Sequence, residues 1–204
     1  MTRVDLFAED QLHEAVVAEL VTRILAELER QCEVVPVSVR GGVGRLLAEL
    51  EQYLAEIEAG RRDAPDILVV AVDGNCRGFV SRREEVTAST RKSTRLPLDA
   101  VIIAVADPHC ERWLLLDSAA FKSVLGKGCS APDHKCDRDR YKEFLAAAVE
   151  AAGATPIFHG AEYGSDIARK MDIEKLAQED KGIAELCAGL RRACELLDRL
   201  KRGR

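Results

Sequence analysis

The feature that most constrains this chain is the near-continuous apolar run from Ile67 to Val72, which stops abruptly at Asp73-Gly74-Asn75. A run with no polar alternation is expected of a strand buried on both faces, as in parallel sheets covered by helices. A second run of the same kind, Ala100 to Val105, ends at Ala106-Asp107-Pro108. Two shorter segments, Arg3 to Phe7 and Val34 to Val39, are also strand-compatible. Between the strands the apolar spacing turns helical: Leu12, Ala15, Val16, Leu20, Ile24 and Leu28, then Val43, Leu46, Leu47, Leu50, Leu54 and Ile57. Further helices are expected around 79–94, from Glu111 and over 139–152, with a short strand near Thr155–Phe158. The alternation predicts an α/β fold with a mostly parallel sheet flanked by helices.

At 204 residues the chain is long enough for one α/β core with a helical appendage. We expect a core over 1–120, an irregular loop, helix and short strand completing it over 121–165, and a C-terminal helical extension over 166–204. The extension carries one apolar stripe (Ile183, Leu186, Cys187, Leu190, Cys194, Leu197, Leu200), either docked on the core or offered to a partner. Aromatics make up only 4% of the residues, so the interior must be built from Leu, Val, Ile and Ala. Seven cysteines form an odd set without disulfide-scaffold spacing. With no secretory signal and no apolar run that spans a bilayer, they read as reduced thiols of a cytoplasmic protein, with no membrane partner.

In parallel sheets ligand sites lie beyond the carboxyl ends of the strands. Acidic residues follow three of them: Glu9 the first, Asp73 the third, and Asp107 with Glu111 the fourth. Carboxylates gathered in one crevice raise one another's pKa unless a cation neutralises them. Hard oxygen donors suit Mg²⁺ or Mn²⁺, which bridge to phosphate oxygens. Each acid taken singly also fits a turn former or a helix cap, and Asp107-Pro108 before Glu111 has that look.

A strand followed by Glu9, then a strand followed by Asp73-x-Asn75, resembles the Toprim fold of topoisomerases, primases and the overcoming-lysogenization-defect nucleases. The tract Asp107 to Asp117 is similar to small stand-alone Toprim-like bacterial proteins encoded beside an ABC-type ATPase. The resemblance covers roughly residues 3–120. It implies that Glu9 is a metal ligand or general base and that Asp73 is the first aspartate of an Asp-x-Asp pair. The second aspartate falls on Asn75, an amide without charge, and Asp107 or Glu111 would supply the missing carboxylate. It further implies Mg²⁺- or Mn²⁺-dependent phosphodiester cleavage of DNA or RNA, as effector of an anti-phage defence module with that ATPase. The alternative is a degenerate, non-catalytic subunit that binds a partner protein or nucleic acid. A third reading, a phosphotransferase, would use Asp73 as nucleophile.

Other residues carry weaker signals. Arg40-Gly41-Gly42-Val43-Gly44-Arg45 is a strand-to-helix turn able to seat a phosphate, but it lacks the Lys-Ser/Thr of a P-loop. Arg77, Arg82, Arg83, Arg91 and Lys92 form a basic stretch suited either to a nucleic-acid backbone or to a solvated helix face, together with Arg40 and Arg45 at the turn. Cys129, His134 and Cys136, with His109 and Cys110 nearby in type, invite zinc, but the spacing is not that of a recognised CxxC pair. A homo-oligomer is compatible with all of this.

Overall fold

The computed structural model describes residues 1–91, 93–137 and 139–203. Strand β1 (Thr2–Ala8) lies in the middle of a four-stranded, all-parallel sheet. It pairs with β2 (Cys32–Ser38) on one side and β3 (Ile67–Asp73) on the other, and β3 pairs with β4 (Val101–Ala106), giving the order β2-β1-β3-β4. Asp73 sits opposite Ala106 in that register, and Gly74 N donates to Ala106 O at 2.7 Å, so the ends of β3 and β4 are fastened together.

Side chains alternate across the sheet with period two. Ile67, Val69 and Ala71 face one core cluster, while Leu68, Val70 and Val72 face the other. The second cluster is closed by α2 (Gly42–Glu58) and α3 (Gly78–Thr90) through Leu46, Leu50, Ile57 and Val86. The first is closed by α1 (Gln11–Glu27) and, after β4, by the whole remaining helical chain. That chain comprises α4 (Cys110–Leu116), α5 (Ser118–Leu125), α6 (Arg140–Ala151), α7 (Gly164–Lys170), α8 (Ile173–Glu179) and α9 (Lys181–Arg202). The apolar runs read as strands are therefore buried on both faces because helices cover both. Among the described residues no helix is long and apolar enough to cross a membrane.

The C-terminal stripe is docked. Ile183, Leu186 and Leu190 of α9 are fully buried in the same cluster as Val4 and Leu6 of β1. Full burial of side chains of this size stabilises by roughly 1.5–3 kcal/mol each. Two glycines permit the close approach of helix to strand. A Cβ on Gly182 would lie 2.1 Å from Val105 O, and one on Gly189 would lie 2.9 Å from Ile102 Cγ2. Asp180 caps α9, accepting from Gly182 N and Ile183 N, and also takes Trp113 Nε1 (3.0 Å) and Arg112 Nη1 (2.8 Å). One buried carboxylate thus ties α9 to α4.

The strand expected at Thr155–Phe158 is not there. Pro156 has no N–H to offer a ladder, and the amides of Ile157 and Phe158 donate instead to the Glu162 carboxylate at 2.7 and 3.0 Å. A buried acid on β1 was also not foreseen. Asp5 accepts two bonds from the Arg3 guanidinium, each 2.8 Å, and one from the Tyr53 hydroxyl at 2.6 Å, which satisfies its charge inside the α2 layer.

Candidate active site at the strand ends

Three carboxylates reach the carboxyl end of the sheet as the sequence predicts. Glu9 follows β1, Asp73 closes β3, and Glu111 lies in the first turn of α4. All three, with Asn75, line one cavity of about 350 Å³; Glu9 and Glu111 also line an adjoining cavity of about 730 Å³. The two cavities share Asp10, Asp139 and Lys142 as well.

Asp73 is the hub. Its Oδ1 accepts from Cys110 N at 2.9 Å, and its Oδ2 is 2.9 Å from His109 Nδ1. His13 Nε2 stands 3.0 Å from Oδ1 without hydrogen-bond geometry, a close ionic contact rather than an aligned bond. The other ring nitrogen of His13, Nδ1, is 2.9 Å from Asp10 Oδ1. Asp10, which caps α1 by accepting from His13 N, is thus the outer end of a chain Asp10–His13–Asp73–His109. Helix α1 positions both Asp10 and His13, because a residue three places after an N-cap returns to the same side of the first turn.

The charges follow from this chain. Burial opposes the protonated form of His13, but Asp73 and Asp10 overcome it and raise its pKa well above the ordinary value. The hydrogen bond to Asp73 raises His109 likewise. For Asp73, burial alone would raise the pKa; the charge of His13 and the hydrogen bond from His109 hold it well below the usual carboxylate range. Glu9 and Glu111 feel the cations less: His13 lowers both and Lys142 lowers Glu111, but neither influence prevails. Burial pushes both upward and the negative charge of Asp73 adds to it, although Glu9 accepts a 3.0 Å bond from Asp73 N. The paired charges are spent within the chain of four, whereas the two glutamates facing the cavity make no ion pair among the described residues.

Asp107 does not join them. Its Oδ2 accepts from Phe79 N at 3.2 Å, at the start of α3, and lies 3.7 Å from His134 Nε2. The cap expected on its own helix is not made: α4 begins after His109 with no side-chain cap, and Asp107 accepts instead from the first turn of α3. Asn75 has a left-handed backbone (φ 48°) and its backbone N–H donates to Pro108 O at 2.9 Å. Among the described residues no three His, Cys, Asp or Glu side chains form a ready-made metal cage.

The basic residues do not gather into one patch. Arg40 lines the larger cavity beside Gly41 and Gly42. Arg45 pairs with Glu49 (3.8 Å) and Arg77 with Glu85 (3.2 Å). Arg82 is buried at 4% exposure, donating to Asp73 O at 2.9 Å and Glu85 at 2.6 Å; it braces the β3 terminus and cannot meet a phosphate backbone. Arg83 pairs with Glu185, and Arg91 is exposed at the C-terminal end of α3. Lys92 lies outside the described residues.

The cysteines require a correction. Cys76 and Cys136 form a disulfide, with Cα atoms 5.3 Å apart, at the wall of the smaller cavity. It removes Cys136 from any zinc set with Cys129 and His134. Cys32, Cys110, Cys129, Cys187 and Cys194 remain thiols. Asp10, His13 and Lys142 are the site residues that sequence reasoning missed. The only signal was Asp10-x-x-His13 directly after the β1 glutamate.

No curated protein and no solved structure matches the chain. Residues 8–191, from the end of β1 into α9 and so including every cavity acid described above, match the family described as a domain of unknown function (DUF4276), and the chain belongs to that family.

Proposed function

We propose that the chain is a divalent-metal-dependent phosphodiesterase of Toprim type, cleaving DNA or RNA, with its active site in the cleft at the strand ends. The supporting observation is that Glu9 and Glu111 line one cavity with Asp73 and have pKa values raised by burial and by Asp73. Carboxylates in that condition take up a proton or a cation. The donors are all oxygens, from Glu9, Glu111, Asp73 and the Asn75 amide, a set that fits Mg²⁺ or Mn²⁺ and not zinc. When bound, such an ion supplies Lewis-acid stabilisation of a phosphoryl oxygen and lowers the pKa of water.

The chain's own residues would do the rest. Asp73, clamped by His13, His109 and Cys110 N, holds a fixed negative charge in the cavity that the two glutamates line. Arg40 and Lys142, on the cavity wall, attract phosphate. His109 is half-buried and lines the smaller cavity, with Nδ1 committed to Asp73, so its other ring nitrogen is the one left to exchange a proton with a substrate group. The role as effector of an anti-phage module with an ABC-type ATPase encoded beside it follows from the Toprim resemblance.

A second reading, a subunit that binds but does not cut, is favoured by the two imidazoles already neutralising Asp73 and by Asn75 in place of a carboxylate. Incubating labelled single-stranded DNA, duplex DNA and RNA with the protein in Mg²⁺ or Mn²⁺ separates the two. Cleavage that disappears with EDTA and in Glu9→Gln supports the enzyme. Absence of cleavage, with and without the ATPase, supports the binding subunit.

A further inference from the structure

We infer that the larger cavity is a stacking subsite for an unpaired nucleobase, with the ring of Phe158 as its platform, so that the cleft takes single-stranded nucleic acid in preference to duplex. The inference deepens the reading above and rests on the cleft being a nucleic-acid site.

Aromatic side chains are few in this chain: five Phe, three Tyr and one Trp. Trp113, Tyr141, Phe7 and Phe121 are spent on the core, each at most 1% exposed. Phe158 is 68% exposed and lines the cavity of about 730 Å³. Phe144, 42% exposed, has the Arg140 guanidinium over its ring at 5.0 Å. Among the described residues no other ring and no cation covers Phe158.

The backbone holds this ring in place. The Glu162 carboxylate accepts from Ile157 N at 2.7 Å and from Phe158 N at 3.0 Å. His159 and Gly160 then take left-handed φ values, 54° and 86°, which turn the chain. A Cβ on Gly160 would lie 2.8 Å from Val149 Cγ2, so the turn sits directly on α6. A ring fixed in this way loses little freedom when a ligand stacks on it.

The cavity joins the platform to the acids. Glu9 and Glu111 line it together with Phe158, and so does Arg40, which makes no ion pair among the described residues. A strand with its reacting phosphate at the glutamates therefore finds, in one cavity, a guanidinium for another phosphate and an apolar ring for a base. In a duplex both faces of each base are already stacked and its edge is paired. Only an unpaired base can lie on the ring.

The test uses the full chain and short oligonucleotides carrying 2-aminopurine, whose fluorescence is quenched by stacking. Single-stranded DNA, single-stranded RNA and duplex DNA are titrated in Ca²⁺ in place of Mg²⁺, with anisotropy read in parallel. Single strands are expected to bind with quenching and duplex to bind more weakly. Phe158→Ala should weaken single-strand binding about tenfold and remove the quenching, with duplex binding unchanged. Phe158→Trp should restore both, and Glu162→Ala, which keeps the ring but frees its turn, should reproduce part of the loss. Arg40→Ala should weaken single strands and duplex alike.

Equal binding of single strands and duplex, or quenching unchanged in Phe158→Ala, overturns the inference; cleavage by that same protein would leave the phosphodiesterase reading standing. Quenching that depends on Phe158 in a protein that cuts nothing in Mg²⁺ or Mn²⁺ supports the subsite and contradicts the phosphodiesterase. Failure of every oligonucleotide to bind at millimolar concentration overturns the inference. So does a concentration-dependent dimer lost in Phe158→Ala, which would assign the ring to a second copy.

Discussion

His13 Nε2 and Asp73 Oδ1 face each other at 3.0 Å beneath the cleft, one on α1 and the other at the end of β3, and His13 is 1% exposed. An imidazolium this deep is stable only because Asp73 and Asp10 flank it, and Asp73 keeps its charge for the reciprocal reason. His13→Leu should therefore leave Asp73 buried with one cation fewer and cost about 3 kcal/mol of stability. Urea unfolding checks this. A change within experimental error would mean that the pair contributes nothing net.

The same contacts set a pH dependence. His13 and His109 have folded pKa values above their ordinary 6.5, so the stability they contribute is complete below about pH 6.5 and declines as pH rises through the raised values. Asp73 is depressed below 3.8, so its contribution is present above that value and declines as pH falls further. Glu9 and Glu111 are raised above 4.5, and their burial becomes increasingly unfavourable as pH rises through their folded values. Metal-free protein should accordingly lose stability from pH 6.5 upward. The alkaline decline should flatten in a His13→Gln, His109→Gln double variant, measured by urea midpoints across the pH series.

Glu9→Gln and Glu111→Gln should each raise the urea midpoint of metal-free protein at pH 8, because an amide there carries no buried charge. The same substitutions should remove any stabilisation by added Mg²⁺. A gain of this kind at the cost of function is common at functional sites. Lower midpoints in both variants would show the glutamates to be structural.

Asp180→Ala should be among the most damaging single changes, costing roughly 3 kcal/mol or more. It removes the cap of α9, the acceptor of Trp113 Nε1 and the partner of Arg112 at once. Asp180→Asn should recover part of the loss, since an amide oxygen still accepts from Gly182 N and Trp113. Equal losses in both variants would mean that the Arg112 charge pair dominates.

The Cys76–Cys136 bridge closes a loop of 60 residues. Constraint of the unfolded chain by such a loop is worth up to about 4 kcal/mol. Cys76→Ser should lower stability by a few kcal/mol under non-reducing conditions and by nothing beyond that under dithiothreitol. Peptide mapping should recover Cys76 and Cys136 joined and the other five cysteines alkylated after unfolding.

The parallel sheet was legible because burial on both faces leaves an uninterrupted apolar run, as in Ile67 to Val72. The strand-end glutamates and Asp73 were legible for a related reason, since the polar residue that stops such a run lies at the sheet's carboxyl end. His13 was not, because a single histidine on an amphipathic helix has the same spacing as any core residue; only the position of α1 under β3 turns it toward Asp73. Arg82 misled because sequence cannot show that a side chain in a basic stretch turns inward to the Asp73 carbonyl. Cys76 and Cys136 lie too far apart in sequence for pairing to be inferred. The expected strand at 155–158 had β-like residues, but the local bonds to Glu162 took its amides.

A cation held by Glu9 and Glu111 is what the proposed chemistry requires, and calorimetric titration of Mg²⁺ and Mn²⁺ into the full chain at pH 8 tests it most directly. Millimolar or tighter binding in wild type, lost in both Glu9→Gln and Glu111→Gln while their folds persist by circular dichroism, is the predicted result. Binding that survives both substitutions, or no binding to wild type in the presence or absence of single-stranded DNA, would contradict it.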